Sequence, residues 1–143
     1  CIETSPGEEI SSRLDTIFRK LGEQIECCSP DFMSVEKLFF GRNITTAEYV
    51  WQARGIALLL AARYRLPLFE PKPSQIKLTV CGYGTAPKEQ VQKMVQRLLG
   101  LKEVPKPDDV ADAIGAAITG FSLFAEKRRI SSAGGYHASL SRR

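Results

Sequence analysis

The sequence lacks the features that mark several common classes of protein. Its longest apolar run, residues 55–62, is far shorter than the roughly 20 residues that a membrane-spanning helix needs. It has a single histidine, His137, and its four cysteines show no Cys-x-x-Cys spacing, so a zinc site would have few ligands. No P-loop or Gly-x-Gly-x-x-Gly motif occurs. Residues 1–7 do not resemble a signal peptide, and we expect a reduced cytoplasmic protein with no membrane partner.

The composition is that of an ordinary globular domain with an uneven distribution of charge. The chain has 143 residues, of which 43% are hydrophobic and 25% charged, and its formal net charge is +4. The first 41 residues contain eight acids against four bases, whereas residues 42–102 contain ten bases against three acids. The excess of basic residues over 42–102 favours contacts with phosphate, although a solvated basic surface would have the same composition.

The spacing of apolar residues predicts strands that alternate with helices. Strands are expected at residues 1–4, 32–35 and 66–70, and helices at 11–26, 46–64, 74–80, 87–99 and 110–124. This order predicts an α/β fold with parallel strands joined through helices, whose site lies at the carboxyl ends of the strands. We expect one domain over residues 1–125 and a flexible basic tail over residues 126–143.

Three acids lie where such a fold would place a site. Glu36 comes at the carboxyl end of a predicted strand, although an edge carboxylate that is solvated or paired with Lys37 would look the same. Asp109 and Asp112 fall on nearly the same face of a helix, where two like charges repel unless a cation lies between them. Mg²⁺ prefers oxygen ligands of this kind. The alternative is that Asp108 and Asp109 cap the helix and complement its dipole.

The basic loops supply candidate contacts with nucleic acid. Lys77 and Lys88 are candidate phosphate ligands. Arg42 and Asn43 lie in a basic loop beside Phe39, which could stack on a base. Core packing is the alternative for Phe39.

Several segments in a fixed order resemble one family. They are Pro30–Phe40, Gln52–Gly55, Gln75–Lys77, a Gly82-x-Gly84-x-Ala86-x-Lys88 segment that continues to Val95, and Asp109–Ala113. Together they resemble the RuvC family of Holliday-junction resolvases from residue 1 to about residue 121. The resemblance implies an RNase H-like mixed sheet flanked by helices. It also implies a homodimer that cuts four-way junction DNA at two symmetric positions, in complex with a branch-migration helicase.

The resemblance also implies roles for individual residues. Glu36 matches the catalytic glutamate at a strand end, Asp112 the helix aspartate and Asp109 the preceding position on the metal side, and these three would bind two Mg²⁺ or Mn²⁺ ions. Lys88 matches a residue that contacts DNA and stabilises developing charge. Lys77 matches a further DNA contact, and Phe39 the aromatic residue that wedges into the junction.

The sequence departs from the family pattern at its start. The family's first strand contains a catalytic aspartate in an Asp-Pro-Gly motif, which does not occur here. We therefore expect the N-terminal strands and one metal ligand of the fold to be missing from this chain. Asp15 does not replace the missing aspartate, because it lies in a predicted helix. Glu3 is only a remote candidate. Two functions follow: a structure-specific endonuclease that resolves junctions by metal-dependent phosphodiester hydrolysis, or a catalytically impaired scaffold that binds junctions.

Overall fold

A computed structural model describes residues 1–38 and 44–140, without the side chains of residues 44–47 and 133–140. Its elements are α1 (Ile10–Cys28), β1 (Met33–Ser34), α2 (Ile44–Arg63), β2 (Leu68–Phe69), α3 (Pro73–Cys81), α4 (Lys88–Leu98) and α5 (Asp108–Leu140). The first four helices lie within two residues of their predicted bounds, and both internal strands lie within the predicted segments. None of the helices in the described ranges is long and apolar enough to cross a bilayer.

The two strands pair in parallel, as predicted. Met33 lies opposite Leu68, and Ser34 lies opposite Phe69. The pairing continues past the strands, because the backbone N–H of Lys37 donates to the carbonyl oxygen of Pro71 at 2.9 Å. The α2 helix provides the crossover that parallel strands require. Both strands therefore end at the same edge, with Glu36 just beyond β1.

The predicted strand at residues 1–4 is wrong. Within the described residues the sheet contains only β1 and β2. A strand needs a neighbour that accepts its backbone hydrogen bonds, and neither strand pairs with this segment. The segment is instead held through a side chain, since the Arg13 Nε donates to the Thr4 Oγ1 at 3.0 Å.

The main core lies where α3, α4 and α5 meet. Ile76 from α3, Val91 and Val95 from α4, and Ala116 from α5 are all buried. Val91 and Val95 are four residues apart, so they form the apolar stripe that places α4 against its neighbours. The start of α5 is thereby fixed beside α3 and the start of α4.

The last helix is longer than its pattern predicts. It continues to Leu140, so the predicted end near Phe124 is wrong. Residues 125–133 include no proline or glycine, and the hydroxyl groups of Ser131 and Ser132 donate to the carbonyl oxygens of Lys127 and Arg128. The division into a domain over 1–125 and a tail over 126–143 stays a prediction.

Candidate active site

Four of the predicted site residues line one cavity of about 220 Å³. Glu36 enters it from the end of β1, Lys77 from α3, Lys88 from the first residue of α4 and Asp112 from the second turn of α5. Apolar side chains complete the wall: Pro73, Ile76 and Val91. We call this space the Glu36 cavity. It brings together residues that are up to 76 positions apart in the sequence.

Asp109 reaches the same acids from the other side. A second cavity of about 320 Å³ is lined by Glu36, Asp109 and Asp112, together with Ser34 from β1. Because Glu36 and Asp112 line both cavities, the two spaces adjoin at these carboxylates. The structure thus brings all three predicted acids to the walls of two adjoining cavities at the edge of the sheet.

The carboxyl group of Glu36 lies in surroundings that disfavour its charge. Burial raises its pKa most, repulsion by Asp112 raises it further, and the ammonium group of Lys88 lowers it in part. The charge of Asp112 thus disfavours the charged form of Glu36 across the cavity. Such a pair of oxygen donors suits a hard divalent cation between them.

Lys88 is paired with two aspartates of α5. Its Nζ lies 3.4 Å from the Oδ2 of Asp108 and 3.4 Å from the Oδ2 of Asp112. The pKa of Lys88 is raised, chiefly by the charge of Asp112, against an opposing effect of desolvation. The side chains of Lys88 and Asp108 are 52% and 64% exposed, so each contact is stabilising only to a small extent.

The donor chemistry fits a divalent metal ion, although the acids are not gathered into a tight ligand cluster. Within residues 1–38 and 44–140, no group of three or more His, Cys, Asp or Glu side chains is close enough to hold an ion. The carboxylates that line the adjoining cavities are nonetheless the ligand type that Mg²⁺ and Mn²⁺ prefer. Glu36 and Asp112 are the residues that would hold such an ion, with Asp109 beside them.

Arg54 supports the backbone of Glu36, although its place in the sequence did not mark it as a site residue. Its Nη1 donates to the backbone carbonyl oxygen of Glu36 at 2.9 Å, and its Nη2 pairs with the carboxylate of Glu70. Its side chain is only 8% exposed. The available signal was an arginine among the small and apolar residues of α2.

The helix that carries the aspartates is fixed to β1 at close range. The Ser34 Oγ donates to the backbone carbonyl oxygen of Ala116 at 2.7 Å. A Cβ atom placed on Gly120 would lie 2.5 Å from the Cβ of Ser34. Only glycine permits this approach, so α5 is held against the strand from which Glu36 emerges.

Three predicted contacts cannot be placed. Phe39, Arg42 and Asn43 lie outside the described residues, and their roles in DNA binding stay predictions. Lys77 lies in the Glu36 cavity, but its contact with DNA also stays a prediction.

Comparison with known proteins identifies the family. Residues 1–120 match the family model described as crossover junction endodeoxyribonuclease RuvC. The chain is 53% identical over 118 residues to the RuvC of Moorella thermoacetica, covering 82% of this chain and 71% of that protein. It is 57% identical over 108 residues to the RuvC of Heliobacterium modesticaldum, covering 76% and 67%. This chain belongs to the RuvC family.

Solved structures of the RuvC family confirm the expected fold. The Thermus thermophilus RuvC structure matches with a TM-score of 0.75 at 36% identity, covering 82% of this chain and 71% of that one. The same protein in complex with a Holliday junction substrate matches with a TM-score of 0.77 at 36% identity, covering 82% and 72%. The RNase H-like α/β fold and the membership of a nuclease family are therefore confirmed.

Proposed function

We propose that this chain acts on Holliday junctions as a divalent-metal-dependent endonuclease, with its reaction centre in the Glu36 cavity. The observation that supports the proposal is the convergence of Glu36 and Asp112 on a cavity that also contains Lys77 and Lys88. Acids to hold a cation and bases to bind phosphate are the two groups that phosphodiester hydrolysis requires.

Glu36, Asp109 and Asp112 would hold Mg²⁺ or Mn²⁺, two ions per site by analogy with the family. When bound, the ions would supply an activated water and stabilise charge on the phosphate and the leaving oxygen. The backbone of Glu36 is fixed at the end of β1, and the backbone of Asp112 is fixed on α5, which packs closely against β1. The two residues therefore hold the site in one orientation. The apolar wall of Ile76 and Val91 restricts water on the side next to α3 and α4.

The two lysines would bind the DNA strand beside the acids. Lys77 is half-buried on α3 and lines the cavity. Lys88 pairs with Asp112 at 3.4 Å, so it is placed to stabilise charge that develops on the phosphate. Phe39, Arg42 and Asn43 would extend the DNA contacts.

A homodimer would present two such sites to a symmetric substrate. The α2 helix is the candidate interface, because Tyr49, Val50 and Leu59 on it are each about half exposed. Exposed apolar side chains on one helix favour burial against a partner. The association with a branch-migration helicase and the cytoplasmic location stay predictions.

Junction cleavage and junction binding, measured on the same variants, test the proposal. With Mg²⁺ and a synthetic four-way junction, Glu36→Gln and Asp112→Asn should each reduce cleavage by more than about 100-fold, since supporting residues around metal sites already cost about 10- to 100-fold. Binding measured by gel shift should persist. Glu103→Gln, which removes an exposed acid from the loop before α5, is the matched control. Cleavage by either site variant at a rate near that of the unsubstituted chain would overturn the assignment.

A junction-binding protein that does not cut is the second candidate. The observation in its favour is that the described residues gather no cluster of three metal ligands. In the same assay this candidate predicts a gel shift without nicking, whether or not Mg²⁺ is present. The Glu36→Gln and Asp112→Asn variants would then behave like the unsubstituted chain.

A further inference from the structure

Asp108 contacts the Glu36 cavity only through Lys88. It is the first residue of α5, and its Oδ2 lies 3.4 Å from the Nζ of Lys88. The same ammonium group lies 3.4 Å from Asp112, one turn further along the helix. Asp108 does not line either of the adjoining cavities. It was recognised in the sequence as a capping residue and not as part of the site.

The negative charges of Asp108, Asp112 and Glu36 are compensated by Lys88. Asp108 and Asp112 are four residues apart on one helix, where like charges repel. Asp112 also repels Glu36 across the cavity. The ammonium group of Lys88 offsets both repulsions, because it comes from α4 and enters between the two aspartates. Lys88 therefore supplies the positive charge that lies next to both aspartates.

We propose that Asp108 is a positioning residue that holds Lys88 beside the site when Asp112 exchanges its contact with Lys88 for a divalent cation. A divalent cation bound to the carboxylate of Asp112 would weaken the contact of that carboxylate with Lys88, because the ion and the ammonium group repel each other. With Asp108 present, the displaced ammonium group keeps an anionic partner and stays next to the cavity. Without Asp108, the only aspartate that Lys88 contacts is the one that the ion needs. This inference rests on the proposed function of the Glu36 cavity.

A capping role for Asp108 makes a different prediction. Acidic residues are favoured in the first turn of a helix because they complement its dipole. In that case the loss of the Asp108 carboxylate would weaken cation binding through long-range charge alone. The loss would then be the same whether residue 88 is a lysine or not. In the positioning role, the effect of Asp108 requires the lysine.

A double-mutant cycle on Mn²⁺ affinity separates the two roles. The dissociation constant for Mn²⁺ would be measured by electron paramagnetic resonance on the full chain without DNA. We expect Asp108→Asn to weaken Mn²⁺ binding by about two- to fivefold, the range for a partly exposed ion pair. In the Lys88→Gln background, the same substitution should change the affinity no more than the control Glu103→Gln does. An equal loss in both backgrounds would overturn the positioning role.

Two further variants complete the test. Asp108→Glu keeps the anion within reach of Lys88, so we expect it to restore Mn²⁺ affinity to within about twofold of the unsubstituted chain, inside the range of one exposed pair. A loss as large as that of Asp108→Asn would contradict the proposal. Asp108 is exposed in the first turn of α5, so Asp108→Asn should fold normally, as thermal melting would show.

The same data distinguish this inference from the proposed function. If the unsubstituted chain binds no Mn²⁺, or if Glu36→Gln and Asp112→Asn leave Mn²⁺ binding unchanged, the proposed metal site is wrong and the role of Asp108 is wrong with it. If those variants abolish binding but the cycle shows no dependence on Lys88, only the role of Asp108 is wrong.

Discussion

The carboxyl group of Glu36 links the chemistry of the site to the stability of the chain. Its raised pKa means that the folded chain binds this proton more tightly than the unfolded chain does. Stability therefore falls as pH rises from the ordinary value of 4.5 through the raised pKa of the folded state, and the loss is complete above it. Screening by solvent keeps the loss small, because the group is only half-buried.

Glu36→Gln should therefore stabilise the metal-free chain at neutral pH. In EDTA at pH 7 we expect an increase of up to about 1 kcal/mol in the free energy of unfolding, measured by urea denaturation. The difference should shrink as the pH approaches 4.5. Excess Mg²⁺ should reverse the order, because the ion stabilises only the chain that binds it. Lower stability of Glu36→Gln at pH 7 in EDTA would contradict this interpretation.

Lys77 is expected to act on DNA through charge alone. Lys77→Gln should weaken junction binding and reduce the slope of log K against log salt by about one unit, as for the loss of one phosphate contact. Lys20→Gln on α1, in the acidic part of the chain, is the matched control. The measurement is a salt titration by fluorescence anisotropy. An unchanged slope for Lys77→Gln would exclude a phosphate contact.

At the scale of elements, two glycines offer opposite tests of packing. Gly120→Ala would place a methyl group 2.5 Å from the Cβ of Ser34, whereas a methyl group at Gly55 would meet nothing within 4 Å. We expect Gly120→Ala to destabilise the chain by about 1–3 kcal/mol through overpacking. Gly55→Ala should stabilise α2 by about 0.5–1 kcal/mol. Urea denaturation of the two variants measures whether the free energy of unfolding falls in the first and rises in the second. An unchanged free energy of unfolding in Gly120→Ala would mean that α5 can shift away from β1.

Arg54 joins α2 to both strand ends. Arg54→Lys retains the charge but not the fork that reaches Glu36 and Glu70 together. We expect a loss of about 1.5–3 kcal/mol in stability, as for hydrogen bonds to charged groups, and slower junction cleavage. Glu70→Gln keeps the bond to the Glu36 carbonyl oxygen and should preserve more cleavage. Equal cleavage by Arg54→Lys and the unsubstituted chain would show that Glu36 needs no such support.

The elements that the sequence predicted well are those whose pattern is local. The α1 and α4 helices have apolar residues at helical spacing, and α2 and α3 end close to Pro67 and Gly82. Residues 1–4 have strand-like composition, but a strand forms only beside another strand. The end of α5 was missed because residues 126–132 are mostly charged or polar, so no apolar face marks the helix there.

The sequence predicted that the candidate acids lie together at the sheet edge, but not which side chains contact them. Glu36 was predicted from the rule that parallel sheets place their sites at the carboxyl ends of strands, and Asp109 and Asp112 from their spacing on one helix face. The contact of Lys88 with Asp108 depends on how α4 packs against α5, and the bond from Arg54 to Glu36 depends on the path of α2 across the sheet. Neither of these two contacts can be predicted from the spacing of the residues in the sequence.

At the scale of the whole molecule, α2 should mediate association. Leu59→Glu introduces a charge on a side chain that is 50% exposed in the single chain. If α2 is the dimer interface, this variant should raise the dimer dissociation constant by more than about tenfold, as for a central interface residue. Ile130→Glu, on α5 and 65% exposed, is the control. Sedimentation velocity over a concentration series would show a shift to monomer in Leu59→Glu alone, and equal behaviour would place the interface elsewhere.

The long α5 helix makes the site and the core parts of one cooperative unit. Its first turns contain Asp109 and Asp112, and the same helix contacts α3, α4, β1 and β2. The helix therefore cannot unravel at its start without exposing buried side chains of the core. The amide of Asp112 should accordingly exchange its hydrogen only when the whole chain opens, as slowly as the amide of Val95. A cell would then contain the chain either with its acids in place or fully unfolded, and proteolysis would remove the second form.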